Sequence, residues 1–293
     1  MNVIYNLVKR NMINYFYDKT SIFFSMLSVF LLILVYVLFL GQLQVNTVIE
    51  EVGDIDGISG LINSWLVAGL IVTSSVTVPM ATMSDIVSDR ENKVFQDFYI
   101  APIKRSAIVF AYLISSVIIG VMMATLTFLL GMIYVGISSG IWISVFSIFQ
   151  MLIVIILSST LFASLSFVVL SFVKTTSAAG TINTLIGTMI GFFAGIYVPF
   201  GAFNSALLRQ ILEVNPAAQV VTLLRSIMMT PYLEIVFEGA PFSSLDGYKE
   251  AYGVTTTFFG NSISGFTIGL FIIGWIIIFI TIGITRLKAY KEI

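Results

Sequence analysis

Six stretches of this 293-residue chain contain no Asp, Glu, Lys or Arg: residues 22–40, 61–83, 107–135, 141–173, 177–198 and 262–285. About 20 consecutive apolar residues in a helix cross the hydrocarbon core of a bilayer, so each block is long enough to cross. In lipid, every backbone donor and acceptor must be satisfied within the segment, which favours helices. A β-barrel would need short segments of alternating apolar and polar residues, and no such alternation occurs in the blocks. Soluble domains are about 45–50 % apolar; this chain is 58 % hydrophobic, and the excess falls in the blocks. The first block lacks a small-residue cleavage pattern and follows a charged amphipathic stretch, so it reads as a retained span and not as a signal peptide. The expected fold is an all-α integral membrane protein with six transmembrane helices.

The basic residues orient these spans, because Lys and Arg gather on the cytoplasmic side of short loops. Six spans place Lys9, Arg10, Lys19, Arg90, Lys93, Lys104, Arg105, Lys174, Arg286, Lys288 and Lys291 on one side. Only Arg209, Arg225 and Lys249 fall on the other, among nine acidic residues. Both termini are therefore expected in the cytoplasm. Within residues 1–21, Ile4, Leu7, Val8, Met12 and Phe16 share one helical face. That pattern fits an interfacial amphipathic helix or a simple positively charged topology anchor. Residues 41–60 form an acidic outer loop, and the short "GISSG" between the third and fourth blocks makes them antiparallel neighbours. The outer segment 199–261 holds two apolar-periodic pieces split at Asn215 and Pro216. Each is too short to cross, so both read as re-entrant or interfacial helices. Residues 240–253 read as a polar loop.

The chemistry missing from the blocks limits what the chain can do. Ion- and proton-coupled transporters place Asp, Glu, His or Arg inside their spans, and these blocks contain none; a secondary transporter that binds sodium through backbone carbonyls is the alternative left open. There is no histidine and no cysteine, which excludes a disulfide framework and a Cys-based metal site. An intramembrane hydrolase would need a His or paired carboxylates for acid–base work. The phosphate-cradling GxxxxGK[ST] pattern is absent, and the net charge of −1 offers nothing to a nucleic acid. The chain is expected to be a non-enzymatic transport subunit with no cofactor of its own. Work would require energy from a partner at the cytoplasmic face.

Residues 84–105, "SDIVSDRENKVFQDFYIAPIKR", then stand out, with eight charges in 22 residues. A helix through residues 86–100 would align Val87, Val94, Phe98 and Phe95 on one stripe, leave Asp89, Lys93 and Asp97 elsewhere, and end at Pro102. Apolar knobs bracketed by both charge signs suit a protein-docking surface. A solvated loop with its aromatics in the lipid interface satisfies the same pattern.

"DRENKVFQDFYIAPIKR" resembles the cytoplasmic loop of the type-2 ATP-binding-cassette (ABC) permease family, written like D/E-R-E-x-G-T-x-E-x-L-x-x-T-P. Asp89, Arg90 and Glu91 match its opening, Phe95 and Phe98 its large apolar positions, and Pro102 its proline. Lys93 stands where Gly is common and Ala101 where Thr is common; loss of the Gly makes a continuous helix the expectation. Outside, Asn215, Pro216 and Arg225 in "NPAAQVVTLLRSIM" match the family's N-P-x-x-x-x-x-x-x-x-R segment. The resemblance implies a half-transporter. It pairs with a second six-span subunit, the same or homologous. Two cytoplasmic ABC ATPase subunits bind ATP and Mg, and dock on the N-terminal helix and on a coupling helix in residues 84–105. On that reading Asp89, Arg90, Glu91, Lys93, Phe95, Phe98 and Pro102 serve ATPase coupling. Arg90 and Glu91 would make charge-assisted contacts, and Phe95 or Phe98 would fill the ATPase groove.

In the fifth block Gly187, Gly191 and Gly195 repeat every fourth residue, which allows close helix approach, within the bundle or at a dimer seam. The resemblance implies that the second and fifth spans line the pathway, giving Thr73, Ser75, Thr77, Asn183, Thr184 and Thr188 as its polar lining. Asn183 leads these, since an amide in lipid is costly without a partner. Pro79 is expected to kink the second span. A weakly polar, uncharged pathway suits a hydrophobic or amphipathic drug, peptide or lipid-like molecule, with multidrug or antimicrobial peptide resistance as the physiology and a bacterial plasma membrane as the location. The alternatives are a lipid-linked glycan exporter, or a membrane sensor or immunity protein that does not pump.

Overall fold

Small residues decide which apolar helix takes the centre of the bundle. The computed structural model describes residues 2–20, 22–23, 27, 30–31, 34, 45–46, 49–50, 55, 57–96, 103–202, 210–211, 214–238, 242–255, 257–258 and 261–289. The expected first span at 22–40 lies largely outside the described residues, as do Phe98 and Pro102. In chain order the helices are α1 (Asn2–Tyr17), α2 (Ile58–Met83), α3 (Asp85–Glu91), α4 (Arg105–Ser139), α5 (Val145–Leu170), α6 (Thr176–Phe193), α7 (Pro216–Met228), α8 (Thr230–Val236), α9 (Phe242–Ala251) and α10 (Gly265–Ala289). Two residues of β1 (Thr257–Phe258) pair antiparallel with β2 (Asn261–Ser262) just before α10.

Four helical stretches among the described residues are long and apolar enough to cross a membrane: Ile58–Glu91, Ser106–Ser139, Val145–Leu170 and Gly265–Arg286. In the first, the charge-free part is α2, and α3 adds Asp85, Asp89, Arg90 and Glu91 beyond its end. The most apolar window of Ile58–Glu91 is 89 % buried within the chain, against 17 % for Gly265–Arg286. Lipid is as apolar as Leu, so burial in a bilayer is decided by close packing. The small residues of α2 permit that packing. Ile196 sits 2.4 Å from where a Cβ on Gly69 would lie, and Val67 of α2 lies 2.3 Å from the same point on Gly131 of α4. The periphery belongs to α10, whose Phe266, Leu270 and Ile277 are exposed in the way lipid-facing side chains are.

The buried threonine hydroxyls of α2 bond within their own helix, whereas those of Ser64 and Ser75 have no partner among the described residues. Thr73 donates to the Gly69 carbonyl at 3.1 Å and Thr82 to the Val78 carbonyl at 3.0 Å. Pro79 removes one backbone donor inside α2, and α4 braces this point. Ser116 Oγ donates to the Pro79 carbonyl at 2.7 Å, while the proline ring fills the space above Gly120, with Cγ at 2.5 Å from its hypothetical Cβ.

Three expectations are corrected. The helix expected through 86–100 is broken, because α3 stops at Glu91 and Lys93 adopts a left-handed φ of 62°. The fifth block is helical only to Phe193; Gly195 at φ 61° turns the chain, and Ile196 folds back onto Gly69. Residues 240–253 are not a loop throughout, since α9 forms there and stacks Tyr248 on Tyr252 at 4.2 Å between ring centroids. Its apolar residues close over the α7 end of the core, and that burial overrides its polar composition.

Gly120→Ala should destabilise the chain by about 1–3 kcal/mol, because a fixed proline ring cannot move aside for the methyl group. Gly180→Ala meets nothing within 4 Å and should be neutral or stabilising by up to about 1 kcal/mol. Thermal unfolding of both variants in detergent measures the difference.

Candidate functional site

The charged residues beyond α2 fold inward and tie four helices together. Ile86 and Val87 on α3 are buried in a cluster with Met83, Ile108, Tyr112 and Phe167. This fixes the opposite face of α3, where the Asp89 carboxylate accepts from Arg10 Nη1 at 2.8 Å and from the Tyr112 hydroxyl. Arg10 also donates to Tyr112 Oη at 3.1 Å, and Asn11 Nδ2 donates to Ser115 Oγ at 3.2 Å. Hydrogen bonds to charged groups contribute about 1.5–3 kcal/mol each, so α1 is held firmly against α3 and α4. A cavity of about 180 Å³ remains between α1 and α3, lined by Arg10, Asn14, Asp18, Thr82, Asp85 and Asp89 among others.

Glu91 closes the next contact. Its Oε2 accepts the backbone N–H of Thr176 at 2.7 Å, at the first residue of α6. A carboxylate there also meets the positive end of the helix dipole. The bond to the Thr176 amide holds the Glu91 carboxyl below its ordinary range. Two turns further along α6, Asn183 Nδ2 donates to Ser84 Oγ at 2.9 Å, between α2 and α3. Arg90 Nη1 reaches the Val173 carbonyl at 3.5 Å, a long contact.

Asn92, Lys93 and Gln96 are exposed. Phe95 turns back to stack on Tyr112, with ring planes 9° apart and centroids at 6.3 Å. Of the residues expected to meet an ATPase, Asp89, Glu91 and Phe95 thus have partners within their own chain, and Lys93 stands at the exposed turn.

A second charged point lies at the other end of α2. Asn215 caps α7 by accepting the Ala217 N–H at 2.8 Å, with Pro216 at the first helical position. Arg225 on the same helix is fully buried. Its Nη1 donates to the Tyr252 carbonyl at 3.0 Å, and Nη2 to the carbonyls of Ala194 and Gly195 at 2.9 and 3.1 Å. The guanidinium carbon lies 4.7 Å from the centre of the Trp65 ring, and Trp65 Nε1 donates to the same Tyr252 carbonyl at 3.0 Å. Burial lowers the Arg225 pKa to about 9, which leaves it a cation at neutral pH.

The expected pathway residues separate into two groups. Thr73 and Ser75 are buried in the bundle, and Thr77 is half-buried. Thr184 and Thr188 are exposed along α6, their hydroxyls bonded to the carbonyls of Gly180 and Leu185. Asn183 Nδ2 finds a partner in Ser84 at the end of α2, while its buried Oδ1 has none among the described residues. Gly191 packs under Tyr197, its hypothetical Cβ 2.2 Å from that ring, and Gly187 faces Thr77 at 3.6 Å. Tyr112, Trp65 and Thr176 went unmarked in the sequence, and Arg10 was marked only as a charge that orients the chain. Their partners lie far away along the chain, and only the hydroxyl and indole groups in otherwise apolar helices hinted at them.

The family model described as ABC-2 type transporter matches residues 2–229. No curated protein matches the chain.

A left-handed backbone costs an L-residue about 1–2 kcal/mol, so Lys93→Gly should raise stability by up to about 1 kcal/mol, whereas Lys93→Val should lower it. Arg225→Leu takes the donor from the Ala194 and Gly195 carbonyls, while that of Tyr252 keeps Trp65, and should cost about 2 kcal/mol or more. Arg225→Lys keeps the charge but not the fork, and should recover less than half of that loss. Thermal melts in detergent, followed by tryptophan fluorescence, rank all four variants.

Proposed function

The chain belongs to the ABC-2 type transporter family and is a permease subunit that works with ABC ATPase subunits; from this premise we propose that it exports a hydrophobic or amphipathic molecule. The cargo class is a drug, a peptide or a lipid-like compound. ATP and Mg are held by two separate ATPase subunits beneath it, and the assembled complex is an ATP-hydrolysing translocase. A second six-span permease subunit, the same or homologous, completes the pathway. The six charge-free blocks supply the spans, with both termini in the cytoplasm of a bacterial cell and the chain in its plasma membrane.

One observation carries this reading. The charged junction of α1 and α3 sits at the end of the most buried helix of the bundle, with the turn at Asn92, Lys93 and Gln96 exposed beyond it. Force applied to that turn reaches the packed centre, because Asp89 and Glu91 already bind α3 to its neighbours. Residues 97–102 continue the docking segment in sequence, with Phe98 as its apolar contact. The exposed strip of α6 supports the cargo class: Thr184 and Thr188 are its polar groups, beside Leu185, Met189 and Phe192. Such a surface orients an apolar ligand with a few hydroxyls and offers no counter-ion to a highly charged one.

The test is reconstitution with an ABC ATPase pair. Hydrolysis should be stimulated by hydrophobic peptides or lipophilic drugs above its basal rate, and lipid-linked sugars should have no effect. An aromatic at the centre of an interface contributes 2 kcal/mol or more, so Phe98→Glu should reduce ATPase co-purification by about tenfold or more. Undiminished co-purification would remove Phe98 from the docking surface. Stimulation by lipid-linked sugars alone would replace the cargo.

A further inference from the structure

The helix α6 is joined to the segment beneath α2 at two separate points. Glu91 holds the Thr176 amide at 2.7 Å, and Ser84 holds Asn183 at 2.9 Å. Seven residues are two helical turns, so the two bonds hold α6 at its N-terminal end and about 10 Å further along its axis. Between them Ala179 is buried in one cluster with Ile86 and Val87 of α3, and Ile182 packs against that cluster. A single bond would let α6 pivot. Two bonds with packed side chains between them fix both its distance and its angle.

The opposite face of α6 has no such tie among the described residues. Thr181, Thr184 and Thr188 are exposed there and bond to carbonyls of their own helix. The attached face and the exposed face therefore move together.

We propose that residues 84–91 and the first two turns of α6 form one rigid lever, with Glu91 and Asn183 as its positioning residues. Displacement of α3 is then delivered directly to α6 and to its exposed hydroxyl face, without first deforming the buried α2. The source of the displacement rests on the function proposed above; the rigidity of the lever does not.

The chain has no cysteine, so introduced cysteines can be spin-labelled without background. One pair, Asn92→Cys with Thr181→Cys, reports within the lever. A second, Thr181→Cys with Ile137→Cys, reports the lever against the far end of α4. In the full chain in lipid nanodiscs, the first pair should give a narrow distance distribution. Glu91→Ala should broaden it by about half, and Glu91→Ala with Asn183→Leu at least twofold. Glu91→Gln retains an acceptor for the Thr176 amide and should restore the narrow distribution. An unchanged width in the double variant would overturn the lever. So would broadening by Glu91→Gln equal to that of Glu91→Ala. With ATPase subunits bound, adding ATP should shift the second pair and leave the first in place; a shift in the first pair alone would also overturn it. If no ABC ATPase assembles with the chain, the functional reading falls, and the nanodisc distributions alone decide the lever.

Discussion

A charged side chain placed at the centre of a bilayer costs several kcal/mol, and most of this structure follows from how the chain avoids that cost. Its described cations and anions collect beyond the two ends of α2. At one end Arg10 meets the carboxylate of Asp89, with the Tyr112 hydroxyl closing the triangle. At the other, Arg225 has no carboxylate partner among the described residues: its two Nη atoms bond three backbone carbonyls and its guanidinium lies over the face of Trp65, while its buried Nε has no partner among those residues. The difference matches their surroundings. The Arg10 pair is partly open to solvent, with the two side chains 31 % and 18 % exposed, whereas Arg225 is wholly enclosed. An enclosed ion pair would require dehydrating two charges; carbonyls require dehydrating one.

Charge exclusion also explains what could be read from the sequence. The apolar blocks marked α2, α4, α5 and α10 to within a few residues of their observed ends, because a membrane helix must be both long and uncharged. Asn215 and Pro216 announced the start of α7 through cap chemistry that is local to the chain. The interior order was not legible. The placement of α2 at the centre and α10 at the rim depends on Gly69 accepting Ile196 and Gly131 accepting Val67, pairings between residues 64 or more positions apart. In lipid the average apolarity of a helix does not reveal its neighbours, since hydrocarbon and Leu are alike.

The site was legible as a place and not as a set of contacts. The charge density of residues 84–105 marked it, and the expectation of outward-facing charges was natural for a docking loop. Instead, Asp89 turns to Arg10 from α1, and Glu91, still at the surface, bonds the first amide of α6, both partners coming from distant parts of the chain. The break at Lys93 was missed for a related reason. Propensity favours Lys within a helix over a left-handed turn, and no local residue signals otherwise. The stacking of Phe95 on Tyr112 requires the chain to turn back there, so a long-range contact outweighs a local preference.

The two charged ends share one helix. The N-terminus of α6 is held by Glu91, and the carbonyls of Ala194 and Gly195 just past its C-terminus are held by Arg225. A helix fixed at both ends cannot slide along its axis without breaking a charge-assisted bond. On the proposed lever it would tilt about the buried Arg225 end, because the guanidinium's bonds go to turn carbonyls past the end of the helix. Motion introduced at α3 would then be largest at the Glu91 end of α6 and smallest near Gly195. The exposed hydroxyls of Thr184 and Thr188 lie between those limits, so on the same proposal a small displacement at the charged junction would turn the polar strip through an angle while leaving the other end closed around Arg225.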